Sequence, residues 1–222
     1  MGQDSYTGEV TVGGPMDVRR LPDITIAKLA VGPLSNNVYL LRCTATGEGL
    51  LIDAADEPRR VAELVRLDGP PVSAILTTHR HADHWQALAA TVADAQAAVY
   101  AGTDDADALP VAVDERLDQG DSITVGDLSL DIIHLRGHTP GSIAVLYRDR
   151  SGTPHLFTGD SLFPGGVGKT TTPEDFTSLI NDVEERLFGV LPDETWVYPG
   201  HGNDTTLGTE RPRLDEWRAR GW

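Results

Sequence analysis

Thr78-His79-Arg80-His81-Ala82-Asp83-His84 puts three histidines and an aspartate within six positions, between an apolar run at 72–77 and a stretch of helical periodicity that begins at Trp85. Such a strand-to-helix loop, at the carboxyl end of a strand, is where scaffolds commonly place function. His79 and His81, two apart in extended chain, project to one side. Asp83 and His84, adjacent where the backbone turns into the helix, point elsewhere and can serve a second centre. Imidazole and carboxylate ligands suit zinc, iron or manganese, and four of them in six residues exceed what one tetrahedral ion takes from a single loop. The competing reading is a solvated loop in which Asp83 caps the helix.

Three further segments argue against that alternative. Gly137-His138-Thr139-Pro140-Gly141-Ser142 sets a histidine in a glycine-bracketed turn, Thr158-Gly159-Asp160 ends a strand with a carboxylate, and Pro199-Gly200-His201-Gly202 ends another with a histidine. Each alone is ordinary turn chemistry. Together, four strand ends that each deliver His or Asp imply loops converging on one metal-bearing rim.

Outward from the loop, 37–41 and 49–53 read as the strands of a hairpin. A helix follows, with Asp56 as its N-cap and Val61, Leu64 and Val65 on one face. Downstream, Trp85, Leu88, Ala89 and Val92 have the spacing of a core-facing helical stripe. Strands are expected at 98–101, 122–125, 128–135, 142–147 and 155–158, with turns at Gly126-Asp127 and Ser151-Gly152. Thr172-Pro173-Glu174-Asp175 opens a helix whose apolar positions are Phe176, Leu179, Ile180, Val183 and Leu187, and a last strand at 195–198 leads to His201. Residues 1–22 read as an arm or first edge strand and 203–222 as a short C-terminal tail. No linker or repeat divides the chain, so 1–222 is expected to be a single domain. Helices mixed with runs of sequential strands suit an α+β fold of stacked sheets with helices on their outer faces.

The 222 residues are 40% hydrophobic and 23% charged, and none of their segments approaches the roughly 18 apolar residues of a membrane span. A net charge of -16 repels phosphate backbones and anionic lipid surfaces, so neither nucleic acid nor membrane is an expected partner. Bound divalent ions would reverse that sign locally. Cys43, the one cysteine, makes no internal disulfide, and the first twenty residues show no apolar signal segment, which together place the expected location in the cytoplasm. Only Lys28 and Lys169 are lysines among the eighteen basic residues, a bias that reads as codon usage.

The His-x-His-x-Asp-His run, followed in order by His138, Asp160 and His201, resembles the metallo-beta-lactamase superfamily, and most closely its glyoxalase II-like (hydroxyacylglutathione hydrolase-like) members. The resemblance covers roughly residues 24–205, including Asn37 and Asp53. It implies a four-layer αββα sandwich with a metal site at one edge of the two sheets. Carried over position by position, His79, His81 and His138 would hold one ion, Asp83, His84 and His201 the other, and Asp160 would bridge them. Two divalent ions are implied, zinc first, with iron or manganese as alternatives. Trp85 stands where many relatives have a smaller residue, so the pocket floor would differ. His134 and His155 fall outside the matched positions and read as structural.

The activity implied is hydrolysis of a small thioester or ester: the ions would share a water, present hydroxide to a carbonyl and stabilise the oxyanion, while Asp83 positions the nucleophile as the catalytic residue. Lys169, after Gly165-Gly166-Val167-Gly168, is a candidate for binding a substrate carboxylate, against the reading of a solvated loop. The 21 residues after His201, with Trp217 and Trp222, are too few for the helical region that holds glutathione in glyoxalase II, so another thiol carrier or ester stays open. The family also includes sulfur dioxygenases, in which a single iron would sit on His79, His138 and Asp160, and lactonases with the same ligands. A non-catalytic, metal-stabilised binding module is a further alternative. A beta-lactamase with a cysteine ligand is disfavoured, because Asp160 occupies that position.

Overall fold

The apolar runs around the histidine loop fold into two sheets that face each other. In this computed structural model, which describes residues 6–221, the first sheet is ordered β1 (Asp17–Arg20), β2 (Ile24–Val31), β3 (Asn36–Cys43), β4 (Gly49–Ile52), β5 (Ala74–Thr77), β6 (Ala98–Gly102) and β7 (Glu115–Leu117). Its first four strands are antiparallel and β4 to β7 are parallel. Helices α1 (Pro58–Leu64) and α2 (Leu88–Ala95) make the crossovers that parallel pairing requires. The second sheet contains β8 (Ser122–Val125), β9 (Leu128–His134), β10 (Ile143–Arg148) and β11 (Pro154–Gly159). A small hairpin, β12 (Leu162–Phe163) and β13 (Gly166–Val167), separates these from α3 (Pro173–Val183), β14 (Trp196–Pro199) and β15 (Thr205–Thr206). The spatial order is β15-β14-β11-β10-β9-β8.

Alternation along each strand sorts side chains into layers. Ile24, Ile26, Tyr39 and Leu41 meet Ile132, Val145, Phe157 and Tyr198 between the sheets. Ala27, Leu29, Val38 and Leu40 face the other way, against Val61 and Leu64 of α1 and Leu88 of α2. Leu146, Leu156 and Val197 pack beneath Leu179, Ile180 and Val183 of α3. Both faces of each sheet are covered, giving the four-layer αββα sandwich, and this is why 37–41 and 49–53 read as apolar runs, whereas β2, interrupted by Thr25 and Lys28, does not read as a strand.

Two local expectations are corrected. Asp56 is not the N-cap of α1: Glu57 occupies that position with φ 51 and no side-chain cap, ahead of Pro58, and Asp56 Oδ1 instead accepts from the Glu57 N–H at 2.6 Å. The stripe starting at Trp85 is not one helix. Ala82–His84 forms a single 3-10 turn, helix resumes only at Leu88, and Ala89 is exposed while Leu88 and Thr91 are buried. The loop's geometry interrupts a periodicity that looked continuous. The helix expected from Thr172-Pro173 is present: Thr172 and Asp175 form a reciprocal capping box on α3, and at Glu184–Phe188 it passes into a π turn in which Leu187 and Phe188 are buried.

At the start of the chain, Asp17–Arg20 pairs along the edge of β2, and Tyr6 is buried. After His201 the chain adds β15, α4 (Leu207–Glu210) and α5 (Leu214–Arg220), and Trp217 of α5 is fully buried beside Phe188. Residues 1–5 of the expected arm, and Trp222, lie outside the described residues. Among the described residues no helix is long and apolar enough to cross a membrane.

Candidate metal centre

The histidine loop leaves the carboxyl end of β5 in the first sheet. His138 lies between β9 and β10, Asp160 follows β11 and His201 follows β14, all in the second. Asp53, at the end of β4 with φ 58, shapes the loop: its two oxygens accept from the Thr78 N–H at 2.7 Å and the Thr78 hydroxyl at 2.8 Å, and Oδ2 also accepts from His84 Nδ1 at 2.8 Å. The loop is therefore held from behind by one buried carboxylate.

All seven residues singled out in the sequence come together. They form three overlapping groups, His79/His81/His138, Asp83/His84/His201 and His79/His84/Asp160, and within each group the potential ligand atoms lie within 4.8 Å of one another. His138 Nε2 is 2.9 Å from His81 Nδ1 and 3.2 Å from His79 Nε2, and His84 Nε2 is 3.2 Å from His201 Nε2. Asp160 spans the groups, with Oδ1 3.4 Å from His84 Nε2 and Oδ2 3.4 Å from His201 Nε2 and 3.6 Å from His138 Nε2.

The opposite ring nitrogens fix which atoms face inward. His84 donates through Nδ1 to Asp53, His138 to the Lys169 carbonyl at 2.7 Å, His201 to the Leu34 carbonyl at 2.9 Å and His79 to the Thr78 hydroxyl at 3.1 Å. With the proton on Nδ1, each Nε2 presents a lone pair to the shared space. Lone pairs that converge at such distances, beside the buried Asp160 carboxylate, suit a cation between them. The donor set thus fits divalent metal.

The electrostatics agree. Burial and the neighbouring imidazoles hold His79 well below its ordinary value, and burial chiefly lowers His138, so both favour the neutral, ligating form. Burial pushes Asp160 up, but the facing His201 and His84 rings outweigh it and hold the carboxyl well below the usual range. Asp83 is lowered against burial by the Asn36 amide, which donates at 2.8 Å, and by His84 and His201. Burial also opposes charge on His84, yet Asp53 and Asp160 raise it to about 10, and Asp160 raises His201 in the same way. Positive charge is favoured between these carboxylates, and a divalent ion supplies it as a proton would.

Two glycines let backbone approach the cluster. A Cβ on Gly200 would fall well inside van der Waals contact with Asp160 Oδ1 and 2.9 Å from His84 Cε1, and one on Gly168 would collide with the Asp160 carbonyl. Lys169 is exposed and lines a cavity of about 800 Å³ with Thr170, Thr172, Phe176 and Arg218, while its carbonyl holds His138. Trp85 is partly exposed and donates to the Arg80 carbonyl at 2.9 Å. His134 bonds the Pro140 carbonyl and His155 the Tyr198 hydroxyl, both outside the cluster. Of the supporting groups, Asp53 has a signal in the sequence, an acid ending an apolar strand. Asn36 and the carbonyls of Leu34 and Lys169 have none.

A family model described as the metallo-beta-lactamase superfamily matches residues 31–201. The chain belongs to the metallo-beta-lactamase superfamily. A hydroxyacylglutathione hydrolase from Polaromonas sp. is 37% identical over 164 residues, covering 73% of this chain, which spans only 60% of that relative's length. Among solved structures, ETHE1 from Myxococcus xanthus is 31% identical with a TM-score of 0.73, over 86% of this chain and 84% of that one. TTHA1623, crystallised in a di-iron-bound form, is 34% identical with a TM-score of 0.67, over 83% and 96%.

Proposed function

We propose that this metallo-beta-lactamase-fold chain is a metal-dependent hydrolase of a small thioester or ester. In this reading His79, His81 and His138 hold one divalent ion, Asp83, His84 and His201 a second, and Asp160 bridges them. The observation that carries it is that two complete three-residue donor groups share one space, with the Asp160 carboxylate reaching both. Bound there, divalent ions supply a water of lowered pKa and a Lewis acid for the carbonyl oxygen. Zinc is the first expectation, and the likeness to a di-iron protein supports iron as an alternative.

The remaining work falls to the chain's own groups. Asp83, kept ionised by Asn36, accepts a hydrogen bond from the attacking water and fixes its direction. Asp53, Leu34 and Lys169 hold the imidazole rings so that no reorientation accompanies the reaction. Lys169, whose carbonyl holds His138 and whose side chain lines the adjoining cavity, offers an ammonium to a substrate carboxylate.

The name of the Polaromonas relative supports a hydroxyacyl thioester, and the carrier thiol is for assay to decide. Metal-reconstituted protein is to be tested against hydroxyacyl thioesters of glutathione and of smaller thiols, with simple esters and lactones alongside. Thioester or ester cleavage that disappears, together with bound metal, in Asp160→Ala supports the proposal. Cleavage of lactones alone would make the chain a lactonase, and retention of two tightly bound ions in Asp160→Ala would refute the bridging role. A second reading, persulfide oxidation at a single iron on His79, His138 and Asp160, draws on the 3.2 Å and 3.6 Å approaches of His138 to the other two. Oxygen uptake by iron-loaded protein given a persulfide would establish it instead.

A further inference from the structure

Lys28 is one of two lysines among eighteen basic residues, and it is fully buried on β2. An ammonium carries three donors on a compact group, where a guanidinium carries five in a planar fork. All three are used here: Nζ donates to the Gly8 carbonyl at 2.6 Å, the Gly202 carbonyl at 2.7 Å and Asp204 Oδ1 at 2.6 Å. Asp204 Oδ2 accepts in turn from the Tyr6 hydroxyl at 2.7 Å and Trp196 Nε1 at 2.8 Å. A buried ion pair is weak as a source of stability, because desolvation offsets most of its attraction. Burial indeed pushes the Lys28 ammonium down and the Asp204 carboxyl up. What such a contact supplies is direction.

Direction is what the neighbouring donor groups need. His201 stands on the second sheet, while Asp83 and His84 belong to a loop of the first, and apolar burial between the sheets is itself non-directional. Side chains of the first sheet reach across to the backbone around His201. Asn37 Nδ2 donates to the carbonyls of Pro199 and Gly202, both at 2.9 Å, and the Tyr39 hydroxyl donates to Pro199 at 2.7 Å. Lys28 holds the far end of the same turn and ties it to the N-terminal segment through Gly8.

We infer that Lys28 is a positioning residue, whose ammonium, with Asp204, locks the turn at 199–204 onto the first sheet and so sets His201 against Asp83 and His84. The link to a second ion rests on the dinuclear reading above; the lock on the turn does not.

The test uses Lys28→Met, with Asp204→Asn as the milder variant should the first fail to fold. In metal-free protein, hydrogen exchange across 199–206 is expected to be about tenfold faster or more, with 78–84 unchanged. Zinc binding by equilibrium dialysis is expected to show the tighter ion retained and the weaker ion's affinity reduced about 10–100-fold, the scale for lost support behind a ligand. Unchanged exchange at 199–206, or faster exchange throughout the chain, overturns the positioning role. Two ions in the wild type that are weakened equally in the variant overturn the link to the second centre alone. A wild type that takes up a single ion overturns the dinuclear reading and that link with it.

Discussion

Asp53 satisfies three donors with two oxygens, and two of those donors belong to Thr78, the residue before the first histidine of the cluster. Its replacement by alanine leaves the His84 ring without an acceptor, and Asp53→Ala is expected to lose about 10–100-fold in metal affinity, read by competition with a chelator. Gly200 acts by what it lacks. Gly200→Ala places a methyl where Asp160 and His84 already stand, so bound metal should fall below half of the wild-type content, measured per chain, while the far-UV circular dichroism stays unchanged. At this scale the sequence was informative where side-chain chemistry is distinctive. The seven histidines and aspartates that the structure gathers could be picked out by type and by their place at strand ends. The Leu34 and Lys169 carbonyls could not, since every residue carries the same backbone acceptor and only the fold decides which one meets an imidazole.

The elements that deliver these residues are fastened by polar contacts as well as by packing. Asp182 of α3, nearly inaccessible, accepts from the Arg136 N–H and Nε at 2.9 Å and from Nη2 at 2.7 Å, which pins the segment leading to His138 against the helix. Asp182→Ala is expected to cost about 2–3 kcal/mol, the scale for hydrogen bonds to a charged group. Burial pushes this carboxyl up, but Arg136 holds it net below its ordinary value. Its contribution is therefore present above the unfolded carboxylate pKa of about 4 and lost as pH falls through the lower folded value. The difference in melting temperature between wild type and variant should narrow as pH is taken below about 4. β3, β4 and β5, sandwiched between two covered faces, were legible as apolar runs, and α3 was legible from Thr172-Pro173 and its apolar stripe, while β2, interrupted by Thr25 and Lys28, was not. Trp85 was misleading because helical spacing does not reveal that the backbone bends between His84 and Leu88 to aim the loop. Asp56 misled similarly, being one residue too early for the cap.

Over the whole molecule, the candidate site is shared between the sheets: the first contributes His79, His81, Asp83 and His84, and the second His138, Asp160 and His201. Ions bound to both halves would hold the native state together, with no equivalent partner in the unfolded chain. At free metal about 100-fold above Kd this linkage amounts to about 2.7 kcal/mol, so chelation should lower the melting temperature by roughly 5–10 °C for a chain of this size. The αββα order was legible from the sequence of elements and from the resemblance carried by the histidine run. The contacts between the sheets were not, because they join residues as far apart as Lys28 and Asp204, which no local pattern connects.

The central claim is that the cluster holds two ions. Elemental analysis by mass spectrometry, on protein purified without chelator or added metal, tests it directly. About two divalent ions per chain, zinc or a mixture of zinc, iron and manganese, is the result expected of two donor groups bridged by Asp160. About one iron per chain would contradict it.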